Sequence, residues 1–195
     1  KTDGLAIAAT GAPENHLFIN PRWKVLILRR TFPELERTLI LRTQALFSGI
    51  GKYDHNKHRW VFPGAGLLQF GHIQNDDDMV KYQSDEYSMI IFDELTHFKE
   101  RMYLYLFSRL RTTDPTIRCK IKAATNPGGI GHSWVKKRFI DGFEPMKFYY
   151  ERKVIAGQPV EWSRTYIPAS VFDNQYLMKN NPNYVMNLMQ LPEVE

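Results

Sequence analysis

Ser88-Met89-Ile90-Ile91-Phe92-Asp93-Glu94 is the stretch around which the rest of the chain is read. An unbroken apolar run at 89–92 stops at two adjacent carboxylates. A short apolar run bounded by polar residues is the pattern of a strand buried on both faces, as in a parallel sheet covered by helices. The acids then fall where the strand leaves the sheet, and open α/β sheets place ligands outside the carboxyl ends of their strands. The plain structural alternative is a helix N-cap followed by a first-turn acid that favours the helix dipole.

In nucleotide hydrolases the same pattern is the Walker B arrangement. Asp93 there helps to hold magnesium, a hard cation that takes carboxylate and water oxygens. Glu94 orients the attacking water, as phosphoryl transfer to water requires. A second apolar stretch, Ile121-Lys122-Ala123-Ala124, runs into Thr125-Asn126-Pro127-Gly128-Gly129. Thr125 and Asn126 are suited to bonding a γ-phosphate or a catalytic water, although Asn-Pro-Gly is also a strong turn signal. The pair lies about 30 residues after the acids, room for one helix and a turn. Lys1-Thr2 opens an apolar helix over 5–9 that Gly11 and Pro13 end. A Lys-Thr pair at a helix start fits the end of a phosphate loop, G-x-x-x-x-G-K-S/T, whose lysine reaches phosphates and whose hydroxyl binds magnesium. The dipeptide is common, and only its order relative to the other two signals gives it weight.

The remaining segments predict an α/β alternation. Val25-Leu26-Ile27-Leu28 reads as a buried strand, followed by Arg29-Arg30-Thr31. Residues 32–47 read as a helix with Phe32, Leu35, Leu39 and Leu46 on one stripe. Leu41 falls off that stripe, which suggests burial on a second face. Residues 49–59 read as a polar loop in which His55 and His58 lack a clear third metal ligand. Residues 60–62 and 67–73 read as a hairpin, and 75–78 as a solvated acidic turn. A helix over 99–110 sets Phe98, Met102, Tyr105, Leu106 and Leu110 at helical spacing, with Met102 and the tyrosines as core, and ends at Arg109 and Arg111. Residues 134–140 form a short basic helix with Lys136-Lys137-Arg138. Strands are expected at 147–152 and 162–167, around Gly157-Gln158-Pro159. A helical tail over 173–191 runs around Pro182, its stripe made of Tyr184, Val185, Leu188, Met189 and Leu191.

Composition sets the outer bounds. A length of 195 residues supports one good-sized core, with room for a small appendage. The single cysteine, Cys119, excludes a disulfide within the chain and a cysteine-cluster zinc site. No apolar run approaches the roughly 18 residues of a transmembrane helix, and no signal peptide is read. The net charge of +5 and pI near 9.2 suit a polyanionic partner such as nucleic acid, or simply a basic surface. The expectation is an intracellular domain without a membrane segment.

Together these stretches resemble the ATPase domain of the large terminase subunit of tailed bacteriophages and prophages. The resemblance is carried by Ile90-Ile91-Phe92-Asp93-Glu94-Leu95-Thr96-His97-Phe98 and by Ser108-Arg109-Leu110-Arg111. It is carried further by Ala124-Thr125-Asn126-Pro127-Gly128-Gly129, running on to Gly131-His132-Ser133-Trp134-Val135-Lys136. Ile167-Pro168-Ala169-Ser170, Asp173-Asn174 and Tyr176-Leu177 look like the end of that domain. The resemblance implies an α/β P-loop NTPase of the additional-strand catalytic-glutamate type. Its sheet is mostly parallel and flanked by helices, and its first strand and most of its phosphate loop lie outside this sequence. Residues 1–195 then form one ATPase domain, incomplete at its N-terminus and without the family's C-terminal nuclease domain.

The implied function is ATP hydrolysis that drives packaging of double-stranded viral DNA into a prohead, in the cytoplasm of the infected or lysogenic bacterial host. Glu94 is then the catalytic carboxylate and Asp93 the magnesium-linked acid. Lys1 and Thr2 bind phosphate, Thr2 also magnesium, and Thr125-Asn126 couple nucleotide state to DNA movement. Arg109 and Arg111 are candidates, on chemistry alone, for an arginine finger or a DNA contact. The resemblance further implies ATP and Mg2+ as cofactors, a homo-oligomeric ring, and a portal protein and small terminase subunit as partners. Without the missing strand and loop, the stretch by itself is expected to bind ATP poorly and to leave an open sheet edge. Two other readings stay open: a helicase-like DNA-dependent ATPase, and a non-catalytic nucleic-acid-binding domain that uses its basic surface.

Overall fold

Val25, Leu26, Ile27 and Leu28 are all fully buried, so this strand has no solvent face and must lie inside a sheet covered on both sides. The computed structural model describes residues 2–188 and 190, in two compact units, Lys1–Gly131 and His132–Glu195. The first unit contains β1 (Lys24–Arg29), β2 (Lys52–Asp54), β3 (Arg59–Val61), β4 (Leu67–His72), β5 (Met89–Asp93) and β6 (Lys120–Ala124). Their order in the sheet is β2-β3-β4-β1-β5-β6. The four strands β4, β1, β5 and β6 run parallel, and β2 and β3 add an antiparallel margin. This is the mostly parallel α/β sheet expected from the sequence. Among the described residues β6 pairs with β5 alone, so its outer edge is open.

Helix α1 (Thr2–Ala9) buries Leu5, Ala6 and Ala9 and packs on β5 and β6. The Trp23 indole N–H donates to the Ala9 carbonyl at 3.0 Å, immediately before β1 begins. The last turn of α1 therefore sits at the amino end of β1. At about 1.5 Å per residue the helix is about 12 Å long.

Helix α2 covers the expected 32–47 in three parts: Phe32–Leu35, a π-helical turn Glu36–Ile40, and Leu41–Phe47. Its buried residues are Leu35, Leu39, Ile40, Thr43 and Phe47. Leu41 is 57% exposed and Leu46 37%, so neither the second buried face nor the Leu46 end of the stripe is observed. The π turn is the reason: its wider loop shifts the phase, bringing Ile40 inward beside Leu39 and Thr43 after it. Thr43 compensates for its polarity by accepting the buried Trp60 indole N–H at 3.0 Å.

Strand β2 lies within what the sequence reads as loop, and β3 and β4 form the expected hairpin with Trp60 opposite Leu68. His55 packs on Tyr53 and His58 on Phe32; among the described residues no cluster of three potential metal ligands exists. The acidic run caps the turn Asp76–Tyr82: Asp78 accepts the amides of Gln74 and Asn75 and pairs with Lys81. The Lys81 ammonium and these amides hold the Asp78 carboxyl well below the usual carboxylate range. Helix α3 (Glu100–Phe107) buries Met102, Tyr103 and Leu106, as expected for Met102 and Tyr103, whereas Tyr105 is only half-buried.

In the second unit the helix His132–Val135 continues as a π turn, Lys136–Ile140. β7 (Tyr149–Ile155) and β8 (Gln158–Arg164) pair as a hairpin with Val154 opposite Pro159. Gln158 and Pro159 therefore belong to a strand, not to the connection. The turn is Ala156-Gly157, both at positive φ (49° and 78°), the primed geometry that suits a two-residue hairpin loop. The tail forms two helices, Gln175–Asn180 and Pro182–Leu188, because a proline with no N–H to donate fits a helix start and not its interior. Val185 is buried, whereas Tyr184 is 43% exposed; Met189 and Leu191 lie outside the described residues.

Candidate active site

Parallel strands deliver their last residues to one end of the sheet. The register sets Leu28 beside Phe92 and Asp93 beside Ala124, so Arg29, Asp93-Glu94 and Thr125-Asn126 emerge together. Asp93 is only 3% exposed. The Arg29 guanidinium donates to Asp93 Oδ2 at 2.9 Å and to the Thr38 hydroxyl at 3.1 Å, and its Nε lies 3.6 Å from Glu34. Arg30 donates to the His97 carbonyl at 2.7 Å. Two consecutive arginines at the carboxyl end of β1 thus grip the end of β5 and its loop from one side.

The loop after β6 grips it from the other. The Asn126 amide donates to Glu94 Oε2 at 3.2 Å. The Thr96 amide donates to the Thr125 hydroxyl at 3.1 Å, and the Gly131 amide to the Thr96 carbonyl at 2.7 Å. Glu94 itself stands at φ 59°, ψ 63°, a left-handed conformation rare for a residue with a side chain. It precedes the short turn Leu95–His97 but makes no side-chain capping bond there. The helix-cap alternative for the acid pair therefore does not describe it: Glu94 reaches across to the loop after β6, and Asp93 to the arginine that ends the neighbouring β1.

Thr2 opens α1, and Asp3 beside it pairs with Arg42 of α2; Lys1 lies outside the described residues. Arg109 and Arg111 are elsewhere. Their backbones bond Tyr87, just before β5 starts, whereas Asp93 is its last residue. Arg109 donates to the Gln83 carbonyl and lies over the Tyr105 ring, and Arg111 is 3.8 Å from Glu86. Neither meets Asp93 or Glu94 within one chain.

Arg29, Arg30 and Thr96 are the residues that reading the sequence did not single out. The doubled arginine directly after a buried apolar run, beside a strand ending in doubled acid, was the available signal.

The polar groups gathered here are oxygen ligands, the Asp93 and Glu94 carboxylates and the Thr125 hydroxyl. That set fits magnesium, which is held by one or two carboxylates plus phosphate and water oxygens and needs no dedicated protein cage.

The family model described as "Terminase large subunit, T4likevirus-type, N-terminal" matches residues 7–195. The fold is similar to that of a large terminase from a thermophilic bacteriophage, at 15% identity and TM-score 0.55, covering 69% of this chain and 34% of that one. The same phage protein solved in complex with ADP matches at 16% identity and TM-score 0.54, over 69% and 33%. The chain spans about a third of the length of these solved proteins. No curated protein matches it. With a family match over nearly its whole length and a sheet that follows the same fold, the chain belongs to the terminase large subunit family, T4likevirus-type, N-terminal region.

Proposed function

We propose that residues 1–195 are the nucleotide-hydrolysing domain of a large terminase subunit, which uses ATP to drive double-stranded DNA into a prohead. The observation that supports this most is Glu94, at the carboxyl end of a fully buried parallel strand, its carboxylate held by the Asn126 amide and adjoining the buried Asp93. Glu94 orients and polarises the attacking water, the main task left to a protein in phosphoryl transfer. Lys1 and Thr2 complete the phosphate-binding loop, with the positive end of α1 directed to the anion. Asp93 and Thr2 hold magnesium, which when bound neutralises charge on the transferring phosphoryl group. Thr125-Asn126 link that chemistry to movement. The ADP complex of the thermophilic phage's large terminase favours a nucleotide here.

Arg109 and Arg111, remote from their own Asp93, are then assigned to a neighbouring subunit of a ring or to the DNA backbone. The partners in this reading are double-stranded DNA, further copies of the chain, a portal protein and a small terminase subunit, in the host cytoplasm. Among the described residues no helix is long and apolar enough to cross a membrane.

ATP hydrolysis by the intact protein, measured with double-stranded DNA, with single-stranded DNA and without either, tests the proposal. Stimulation by the duplex is expected. Stimulation by single strands alone favours a helicase-like ATPase, and DNA binding without hydrolysis favours a non-catalytic binding domain.

A further inference from the structure

We propose that Thr96 is the positioning residue that sets Glu94 for hydrolysis, by fastening its loop to the Thr125-Asn126 loop. The inference rests on the reading of Glu94 as the carboxylate that orients water.

Thr96 is 3% exposed, and every polar group it has is spent on the loop after β6. Its amide donates to Thr125 Oγ1 at 3.1 Å and its carbonyl accepts the Gly131 amide at 2.7 Å. Its hydroxyl lies 2.8 Å from Thr125 Oγ1 and donates to the Asn126 carbonyl at 3.0 Å. Thr125 Oγ1 also lies 3.1 Å from that carbonyl. Two hydroxyls and one carbonyl thus form a triangle, with two protons to fill its three edges.

The consequence is a closed ring through the site. The Glu94 carboxylate bonds the Asn126 amide, the Asn126 carbonyl bonds the Thr96 hydroxyl, and the backbone from Thr96 returns through Leu95 to Glu94. Glu94 is held left-handed within that ring, a conformation that persists in a non-glycine residue only when its surroundings enforce it. Thr96 is the fastening on that side. Without its hydroxyl the ring opens at the Asn126 carbonyl while the Thr96 amide and carbonyl bonds remain, and Glu94 loses one of the constraints that set its backbone angles and its carboxylate. Gly129, at φ 84°, gives the facing backbone the clearance the fastening needs: a Cβ there would lie 2.7 Å from the Thr96 carbonyl oxygen. An event that displaces the Thr125-Asn126 loop moves Glu94 through this ring and need not touch it directly.

The test compares Thr96→Val, Thr96→Ser and Glu94→Gln in the intact protein, reading kcat, KM for ATP, affinity for a non-hydrolysable ATP analogue, and thermal unfolding. Misplacing a reacting group by about 1 Å costs about a hundredfold in rate. Thr96→Val is therefore expected to lower kcat by about ten- to a hundredfold, with KM and analogue affinity within about twofold of the parent. Thr96→Ser restores kcat to within about threefold. Parent-like kcat in Thr96→Val beside an inactive Glu94→Gln overturns the role of Thr96 and leaves that of Glu94 standing. Loss of analogue affinity in step with kcat also overturns it, since Thr96 would then serve binding. A fully active Glu94→Gln removes the reading beneath it. Should Thr96→Val melt below the assay temperature, Thr96→Ala, which removes the same hydroxyl, is assayed at a temperature where it is folded, and a parent-like kcat there overturns the proposal.

Discussion

Arg29 and Asp93 close a largely buried ion pair across two parallel strands, with 2.9 Å between Nη1 and Oδ2. The pair joins the end of β1 to the end of β5 at the point where the acids leave the sheet. Asp93 is shielded from water, and its charge is balanced by a residue 64 positions earlier.

Arg29→Met keeps most of the aliphatic stem and removes the guanidinium. Breaking a fully buried pair costs about 3–5 kcal/mol. The Arg29 side chain retains 18% exposure, so a loss of about 2 kcal/mol is expected, read as a lower denaturant midpoint. An unchanged midpoint means that the pair contributes nothing to the folded state.

Thr43→Val leaves the buried Trp60 indole N–H without its 3.0 Å acceptor. The expected cost is about 1–3 kcal/mol, the penalty for an unsatisfied buried donor. Thr43→Ser keeps the oxygen and should lose much less. Equal unfolding midpoints for the two variants contradict the assignment.

Gly129→Ala meets two obstacles at once, the left-handed φ of 84° and the Thr96 carbonyl oxygen 2.7 Å from the new Cβ. Backbone strain of this kind costs on the order of 1–3 kcal/mol. Because the loop must shift, hydrolysis should fall by more than thermal stability does. Gly64→Ala is a useful comparison: its φ is also positive but nothing lies within 4 Å of its Cβ, so it should lose stability and not activity.

The Asp114 carboxyl is held down at about 2 by the hydroxyl of Thr116, then by the side-chain amide of Asn20 and the Thr116 amide. A carboxyl depressed in the folded state stabilises above its unfolded pKa of about 3.9. That contribution is lost as pH falls through the folded value. The melting temperature of Asp114→Asn should therefore lie below the parent's at pH ~5, and the gap should close toward pH ~2. A gap independent of pH removes the carboxylate as the cause.

How much of the fold is legible in the sequence depends on how local the signal is. β1 and β5 are continuous apolar runs, and their burial on both faces follows directly from that pattern. β6 interleaves Lys120 and Lys122 with apolar residues, and it lies only partly buried at the open edge. The acids and Thr125-Asn126 are the residues that follow or end β5 and β6, so their arrival at one end of the sheet is legible once the strands are taken as parallel. The π turn in α2 is not, because a one-residue phase shift leaves the apolar count unchanged while it exchanges Leu46 for Ile40 and Thr43 inside. The β7–β8 turn is hidden because Gly-Gln-Pro draws attention to the proline, while the bend sits at Ala156-Gly157. Arg29, Arg30 and Thr96 escape for another reason. Their roles come from partners 64, 67 and 29 positions away, and only strand register brings those together.

In the proposed function Glu94 orients the attacking water at a site built from the ends of β1, β5 and β6. Glu94→Gln tests it most directly, since the amide keeps the shape and the reach to Asn126 but loses the charge. ATP binding and ATP hydrolysis by the intact protein in the presence of double-stranded DNA should be measured side by side. Binding within a few-fold of the parent, with hydrolysis reduced by about a hundredfold or more, is the predicted result. Hydrolysis at the parent rate without the Glu94 carboxylate would contradict the account.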